Sequence, residues 1–278
     1  MPSLLTRSKR LNEPVSTPKT VPSTLYDATY FLSVCEGYQE FQSSEGEYLS
    51  QRLAEALAVA GIAPGMRVLD VGCGRGEILL RTARLGAKAI GIDYAAVAVQ
   101  LSHKIALREA TNGHSIGVAQ ASALLLPFNT ATFDRLLMLD IVEHLYPTEL
   151  AQALDEARRV LRPGGRLIVH TAPNVWYDRY AYPWVRQIRT ALGQGAQYPQ
   201  DPRAIIPENL HVHVNEQSMV SLNRHLRRAG FHHVKTWLST PPQQRQENPL
   251  FRGARWVLFK VPPFRWFFER EVFAVGEK

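Results

Sequence analysis

Apolar positions along this chain follow two alternating textures. From Arg67 onward, short and continuously apolar runs alternate with stretches whose apolar residues recur at helical spacing. The runs predict strands over Arg67–Val71, Ala87–Ile92, Ser115–Ala119, Phe133–Leu139 and Arg166–His170. The stretches between them predict helices over Glu77–Leu85, Ala95–Ala110 and Thr148–Val160. Before Arg67, Leu49, Leu53, Leu57 and Ala60 recur at helical spacing and stop at Gly61. After the fifth strand, 173–210 is irregular and rich in Pro, Trp, Tyr and Arg. A helix over Glu216–Ala229, a strand over Phe231–Leu238 and a last strand over Glu271–Val275 follow. Strands apolar on both faces and alternating with helices predict an α/β protein, its parallel sheet covered by helices on both sides.

Composition narrows the class without naming the chemistry. Of 278 residues, 45% are hydrophobic and 21% charged, the balance of a folded globular chain. Uninterrupted apolar runs long enough to span a bilayer are absent. Cys35 and Cys73 are too few for a disulfide framework. Residues 1–23 hold four prolines and four basic residues and read as a disordered leader; with no apolar signal core, the cytoplasm is the expected location. The net charge of +7 resides in 224–278, where eleven Lys/Arg face four Asp/Glu. That end admits an anionic partner (nucleic acid, a membrane surface or a phosphorylated substrate) or a plain solvated face.

One stretch changes this picture. Val68-Leu69-Asp70-Val71-Gly72-Cys73-Gly74-Arg75-Gly76-Glu77 runs from an apolar strand through a glycine turn into a helix. A tight turn that lets a ligand approach the backbone requires glycine. A dinucleotide loop would place its third glycine where Glu77 stands. Asp70, inside the strand, suits an ammonium-bearing ligand and repels a pyrophosphate. Asp93 ends the second strand, where an acid can accept both hydroxyls of a ribose.

With these residues in place, the chain resembles the class I S-adenosylmethionine-dependent methyltransferases, including the type that methylates oxygen in quinone biosynthesis. Asp70-x-Gly72-x-Gly74-x-Gly76 resembles their first motif and Asp93 their ribose-binding acid. Gln120 to Phe128 resembles the segment framing the adenine. Phe133-Asp134 to Asp140 and Glu143-His144 resembles the fourth-strand motif, and Leu161 to Gly165 the turn before the fifth strand. The resemblance implies a Rossmann-like seven-stranded sheet with its last strand antiparallel. It also implies S-adenosyl-L-methionine bound through Asp70, Gly72, Gly74, Asp93, Ser122, Ala123 and Asp140. Ser122 stands where the family usually has Asp, so it offers the adenine only a neutral hydrogen bond. The implied methyltransferase domain covers 24–278. It comprises a helical lid (24–64), a cofactor core (65–172), an acceptor-pocket insert (173–215) and C-terminal strands (216–278) with a basic-aromatic insertion at 249–268.

Methyl transfer from a sulfonium relies on holding the nucleophile in line, and an oxygen nucleophile gains from a base. His144, just past the fourth strand, is the expected base. His211 and His213 flank Val212 and would face one way in an extended segment. A zinc pair there lacks an evident third ligand, and no carboxylate trio suggests magnesium, so no metal is expected. His170 reads as a satisfied core residue. Tyr26 and Tyr30, one helical turn apart, would close over the cofactor or pack on the core. The aromatics and arginines of the insert suit a planar or phosphorylated acceptor. In 249–268, Arg252, Arg255, Lys260 and Arg265 interleave with Trp and Phe, as in a segment lying on anionic lipid at the inner membrane face. Nucleic acid is disfavoured, because Asp140-Ile141-Val142-Glu143 replaces the Asn/Asp-Pro-Pro-aromatic motif of base-amino methyltransferases. The expected function is O-methylation of a small-molecule or lipid-linked (quinone or glycan) acceptor. The alternatives are C- or N-methylation of a natural product or lipid, an NAD-dependent dehydrogenase, or a non-catalytic binding protein.

Overall fold

A computed structural model describes residues 20–239 and 256–278. Its centre is one seven-stranded sheet: β1 (Arg67–Val71), β2 (Lys88–Asp93), β3 (Ile116–Gln120), β4 (Phe133–Leu139), β5 (Leu161–Thr171), β6 (His232–Ser239) and β7 (Glu271–Glu277). The spatial order is β3-β2-β1-β4-β5-β7-β6. Strands β1 to β5 are parallel, and β7 runs antiparallel between β5 and β6. The chain order therefore reverses beside β1, opening a crevice at the carboxyl ends of β1 and β4.

Alternation along the strands fills two separate cores. Leu69, Val71, Leu136, Met138, Leu167 and Val169 point to one face. There they meet Leu150, Ala153, Leu154 and Ala157 of one helix (Pro147–Val160) and Leu222 and Leu226 of another (Met219–Arg228). Val68, Leu137, Leu139, Ile168 and Phe273 point to the other face, against Leu53, Ala56 and Ala60 of the helix Gln51–Ala60 and Ile78 of the helix Glu77–Arg84. The helix Ala96–Ala110 covers the β2–β3 end, packing mainly on β3. Continuously apolar strands are what two covered faces require.

Three boundaries depart from the sequence reading. Strand β5 begins at Leu161, not Arg166, because Leu161 pairs with Phe133 and Gly164 adopts φ 74, letting the Pro-Gly-Gly turn stay in the strand. The helix expected from Glu216 starts at Met219, where the Ser218 hydroxyl accepts from the Ser221 N–H and caps it. The expected leader to residue 23 is too long: Val21 is buried, and the Thr20 hydroxyl donates to Glu149. Residues 1–19, the rest of that leader, lie outside the described residues, as do 240–255, which include Arg252 and Arg255.

Candidate functional site

The carboxyl ends of β1, β2 and β4 open into one cavity. Asp70, Gly72, Gly74, Asp93, Ser122, Ala123, Asp140 and His144 all line it, although they lie in four separate stretches of the sequence. The turn after β1 is dictated by crowding. Gly72 has φ 75, and a Cβ there would lie 2.3 Å from Cγ2 of Ile141. The Gly72 and Cys73 N–H groups both donate to the Ile92 carbonyl, tying the loop to β2.

Asp93 does two structural jobs at this turn. Its carboxylate accepts from the Ala95 N–H at 2.9 Å and from the Gly74 N–H at 3.1 Å. Each oxygen keeps a further lone pair for a ligand hydroxyl. Burial pushes its carboxyl up, against the pull of those N–H groups. Asp70 is pushed up to about 8 by burial, with the Glu77 and Asp93 charges adding. A cation placed beside Asp70 would return it to the ionised form. Ser122 accepts from the Leu124 N–H at 3.2 Å, so its hydroxyl also shapes its own turn.

Asp140 is held from behind. It sits at φ 56, and its carboxylate forms ion pairs with Arg52 at 2.7 Å and with His170 at 2.5 Å. His170 is more than a satisfied core residue, because its Nδ1 bonds Asp140 and its Nε2 bonds Glu271, also at 2.5 Å. Both ring nitrogens donate, so this imidazole is a cation. Burial works against that charge, but the Asp140 and Glu271 carboxylates outweigh it and hold His170 up at about 10. Burial likewise opposes the Asp140 charge, yet Arg52 and His170 keep its carboxyl well below the usual range. The pairing of this relay is not legible in the sequence, since Arg52, Asp140, His170 and Glu271 come from four distant segments. A basic residue inside an otherwise apolar strand, as at His170, was the available signal.

His144 is half-buried at the cavity wall. Its Nδ1–H donates to the Val212 carbonyl at 3.0 Å, which places the lone pair on Nε2. Burial lowers it to about 4, so the ring is neutral at physiological pH. His211 and His213 do not share a face: Asn209–Val212 is a helical turn, leaving His211 exposed and His213 buried. The His213 ring meets His144 edge-on at 5.0 Å between centroids, and its Nδ1 has no hydrogen-bond partner among the described residues. Burial, with His144 adding, lowers His213 to about 3. Glu143 adds a third polar group beside this pair. Ligand atoms of Glu143, His144 and His213 lie within 4.8 Å of one another, a set able to hold a divalent cation.

The roof comes from the N-terminal segment. Thr20, Val21, Tyr26, Tyr30, Phe31 and Cys35 line the cavity. The Tyr26 ring packs edge-on against Tyr30, Tyr94 and His144. Two arginines fasten this roof to the core. Arg75, buried within the glycine loop, donates to the carbonyls of Phe31, Cys35 and Glu36 and pairs with Glu77 at 2.8 Å. Arg52 donates to the Glu36 carbonyl and pairs with the Glu36 carboxylate. No residue of the insert 173–210 lines this cavity.

Comparison with known proteins agrees with this geometry. Residues 69–169 match the methyltransferase domain family. An uncharacterized protein of Mycobacterium tuberculosis is 37% identical over 111 residues, 40% of this chain and 39% of that one. A ubiquinone biosynthesis O-methyltransferase of Chelativorans is 34% identical over 107 residues, 38% of this chain and 40% of its own length. A ubiquinone/menaquinone biosynthesis C-methyltransferase of Nitrosospira multiformis is 28% identical over 231 residues, 75% of this chain and 84% of its own. The chain thus spans about two fifths of the length of the curated relatives it matches first. A crystal structure of an S-adenosylmethionine-dependent methyltransferase from Archaeoglobus fulgidus superposes with a TM-score of 0.56, at 18% identity, covering 86% of this chain and 99% of that one. At that identity the likeness shows a shared fold.

Proposed function

We propose that this chain, whose residues 69–169 form a class I S-adenosylmethionine-dependent methyltransferase domain, transfers a methyl group to an oxygen of a small-molecule or lipid-linked acceptor. One observation carries the reading: the residues expected to hold S-adenosylmethionine converge on one roofed cavity at the sheet's switch point. In this reading Asp70 takes the ammonium, the Gly72–Gly74 backbone cradles the methionine part, and Asp93 takes the ribose hydroxyls. Ser122 and Ala123 frame the adenine, and Asp140, fixed by Arg52 and His170, closes the side toward β5. The fit is chemical as well as spatial, since buried Asp70 lacks a cationic side-chain partner among its neighbouring charges and an ammonium supplies one. The ligand, when bound, supplies the electrophilic methyl.

His144 is the proton acceptor in this reading. Its tautomer presents Nε2, and its neutrality means no proton must leave first. The matches to both a quinone O-methyltransferase and a quinone C-methyltransferase leave oxygen supported mainly by this histidine.

Calorimetric titration with S-adenosylmethionine and with NAD tests the cofactor. Binding of the first alone is expected, and NAD binding without a response to S-adenosylmethionine would overturn the reading. His144→Ala is expected to lower turnover by about 10²–10⁴ with cofactor affinity intact. The acidic limb of the wild-type rate profile is expected near pH 4, because the base stays unprotonated down to its depressed pKa.

A further inference from the structure

The insert that does not build the cavity presents a face of its own. Tyr180, Trp184, Ile188 and Leu192 follow one another at four-residue steps along and beside the helix Tyr182–Ala191. They are 49, 67, 60 and 66% exposed, so the apolar stripe of this helix faces solvent. Its opposite side is the packed one, with Ala181 and Tyr182 buried and the Tyr182 hydroxyl bonded to the Pro199 carbonyl. Arg179, Arg186 and Arg189 lie along the same stretch, and residues 179–200 contain no acid.

A second segment continues this face. Trp176 stacks on Phe267 at 5.7 Å, and Tyr180 meets Phe267 edge-on at 5.6 Å. The Asn174 amide donates to the carbonyls of Trp266 and Glu269. Beside this joint, Trp256, Val257, Phe264 and Trp266 are exposed, with Lys260 among them. Asn174 lies just past the end of β5, so the face stands at the same edge of the sheet as the cavity.

We infer that these two segments form one docking platform for an anionic lipid surface. The exposed stripe supplies apolar area to enter the headgroup boundary, and the flanking arginines and lysine meet lipid phosphates. Tryptophan and tyrosine at the rim suit that boundary, being apolar in body and polar at one end. A second copy of the chain is a poorer occupant, because a two-fold contact would set Arg179, Arg186 and Arg189 against their own copies. The lipid-linked form of the acceptor rests on this docking; the docking does not rest on methyl transfer.

Sedimentation of the full chain with vesicles tests it, using phosphatidylcholine alone and phosphatidylcholine mixed with phosphatidylglycerol. The wild type is expected to pellet with the mixed vesicles and stay in solution with the neutral ones. Trp184→Glu/Ile188→Glu is expected to stay in solution with both, and Arg179→Gln to bind about fivefold more weakly. Both variants are expected to keep the wild-type melting curve and calorimetric response to S-adenosylmethionine, which separates failure of docking from failure of the cofactor reading. A wild type that ignores mixed vesicles overturns the platform. So does a double variant that pellets like the wild type, or a vesicle-independent dimer that the double variant dissolves.

Discussion

The cofactor edge and the insert face sit side by side at one end of the sheet and are built on opposite principles. The cavity edge buries charge: Asp70, Asp93, Arg75 and Arg52 are each withdrawn from water, Asp140 is half-buried beside them, and each is answered by named partners or by the ligand. The insert face exposes grease, with Trp184, Ile188 and Leu192 turned outward and arginines beside them. Buried charge makes the first region intolerant, since removing one partner strands the other. Exposed apolar groups leave the second nearly free to change, because folding does not draw on them.

Substitutions can break or sharpen that contrast. The largest effect is expected at His170. His170→Asn removes the buried cation between two half-buried carboxylates, costing about 3–5 kcal/mol in urea unfolding at neutral pH. Because the folded pKa of His170 is raised, its contribution is complete below about pH 6.5 and fades as pH climbs through about 10. Wild type and variant should therefore converge in strong base, and equal stability at neutral pH would mean that the relay contributes nothing. Next, Gly72→Ala combines a left-handed backbone with contact against Ile141 and should cost about 2–5 kcal/mol, read by thermal melts and cofactor titration. Asp93→Ala should weaken S-adenosylmethionine binding by about 1–3 kcal/mol; unchanged affinity would remove the ribose role. Asp70 predicts a smaller, graded effect. If the ligand ammonium ionises it, binding releases a proton, and affinity rises with pH, at most about tenfold per unit, until about pH 8. Calorimetry in buffers of different ionisation enthalpy counts that proton. Last, Trp184→Ser should leave stability and cofactor affinity within about 0.5 kcal/mol, and a larger loss would place Trp184 in the fold after all.

The same contrast explains what could be read in advance. The glycine turn, Asp70 and Asp93 are legible because a tight turn and a ligand-facing carboxylate restrict the residue type locally. The parallel sheet follows from alternating texture, and its seven strands with the last antiparallel from the motif resemblance. The relay through Arg52, Asp140, His170 and Glu271 is a product of tertiary assembly, and no local rule brings those four segments together. His211 and His213 fell apart because a helical turn replaced the assumed extended segment. The insert is harder to read for a different reason. Aromatic residues in sequence are silent on whether they face a pocket or solvent, and here the buried side of the helix is set by Ala181 and Tyr182.

Arg75 gives the roof of the cavity a consequence for modularity. Its guanidinium belongs to the glycine loop, but three of its acceptors are backbone carbonyls of Phe31, Cys35 and Glu36. Loop and roof are therefore a single unit of exchange. A chimera that transplanted 65–172 beneath a foreign N-terminal segment would keep the Arg75–Glu77 pair but strip the guanidinium of its three carbonyl acceptors, a defect of about 1–3 kcal/mol. Recombination between relatives would have to cut before Val21 to keep that unit whole. Screening crossover libraries for soluble expression would show whether viable junctions avoid the stretch between the roof and Arg75.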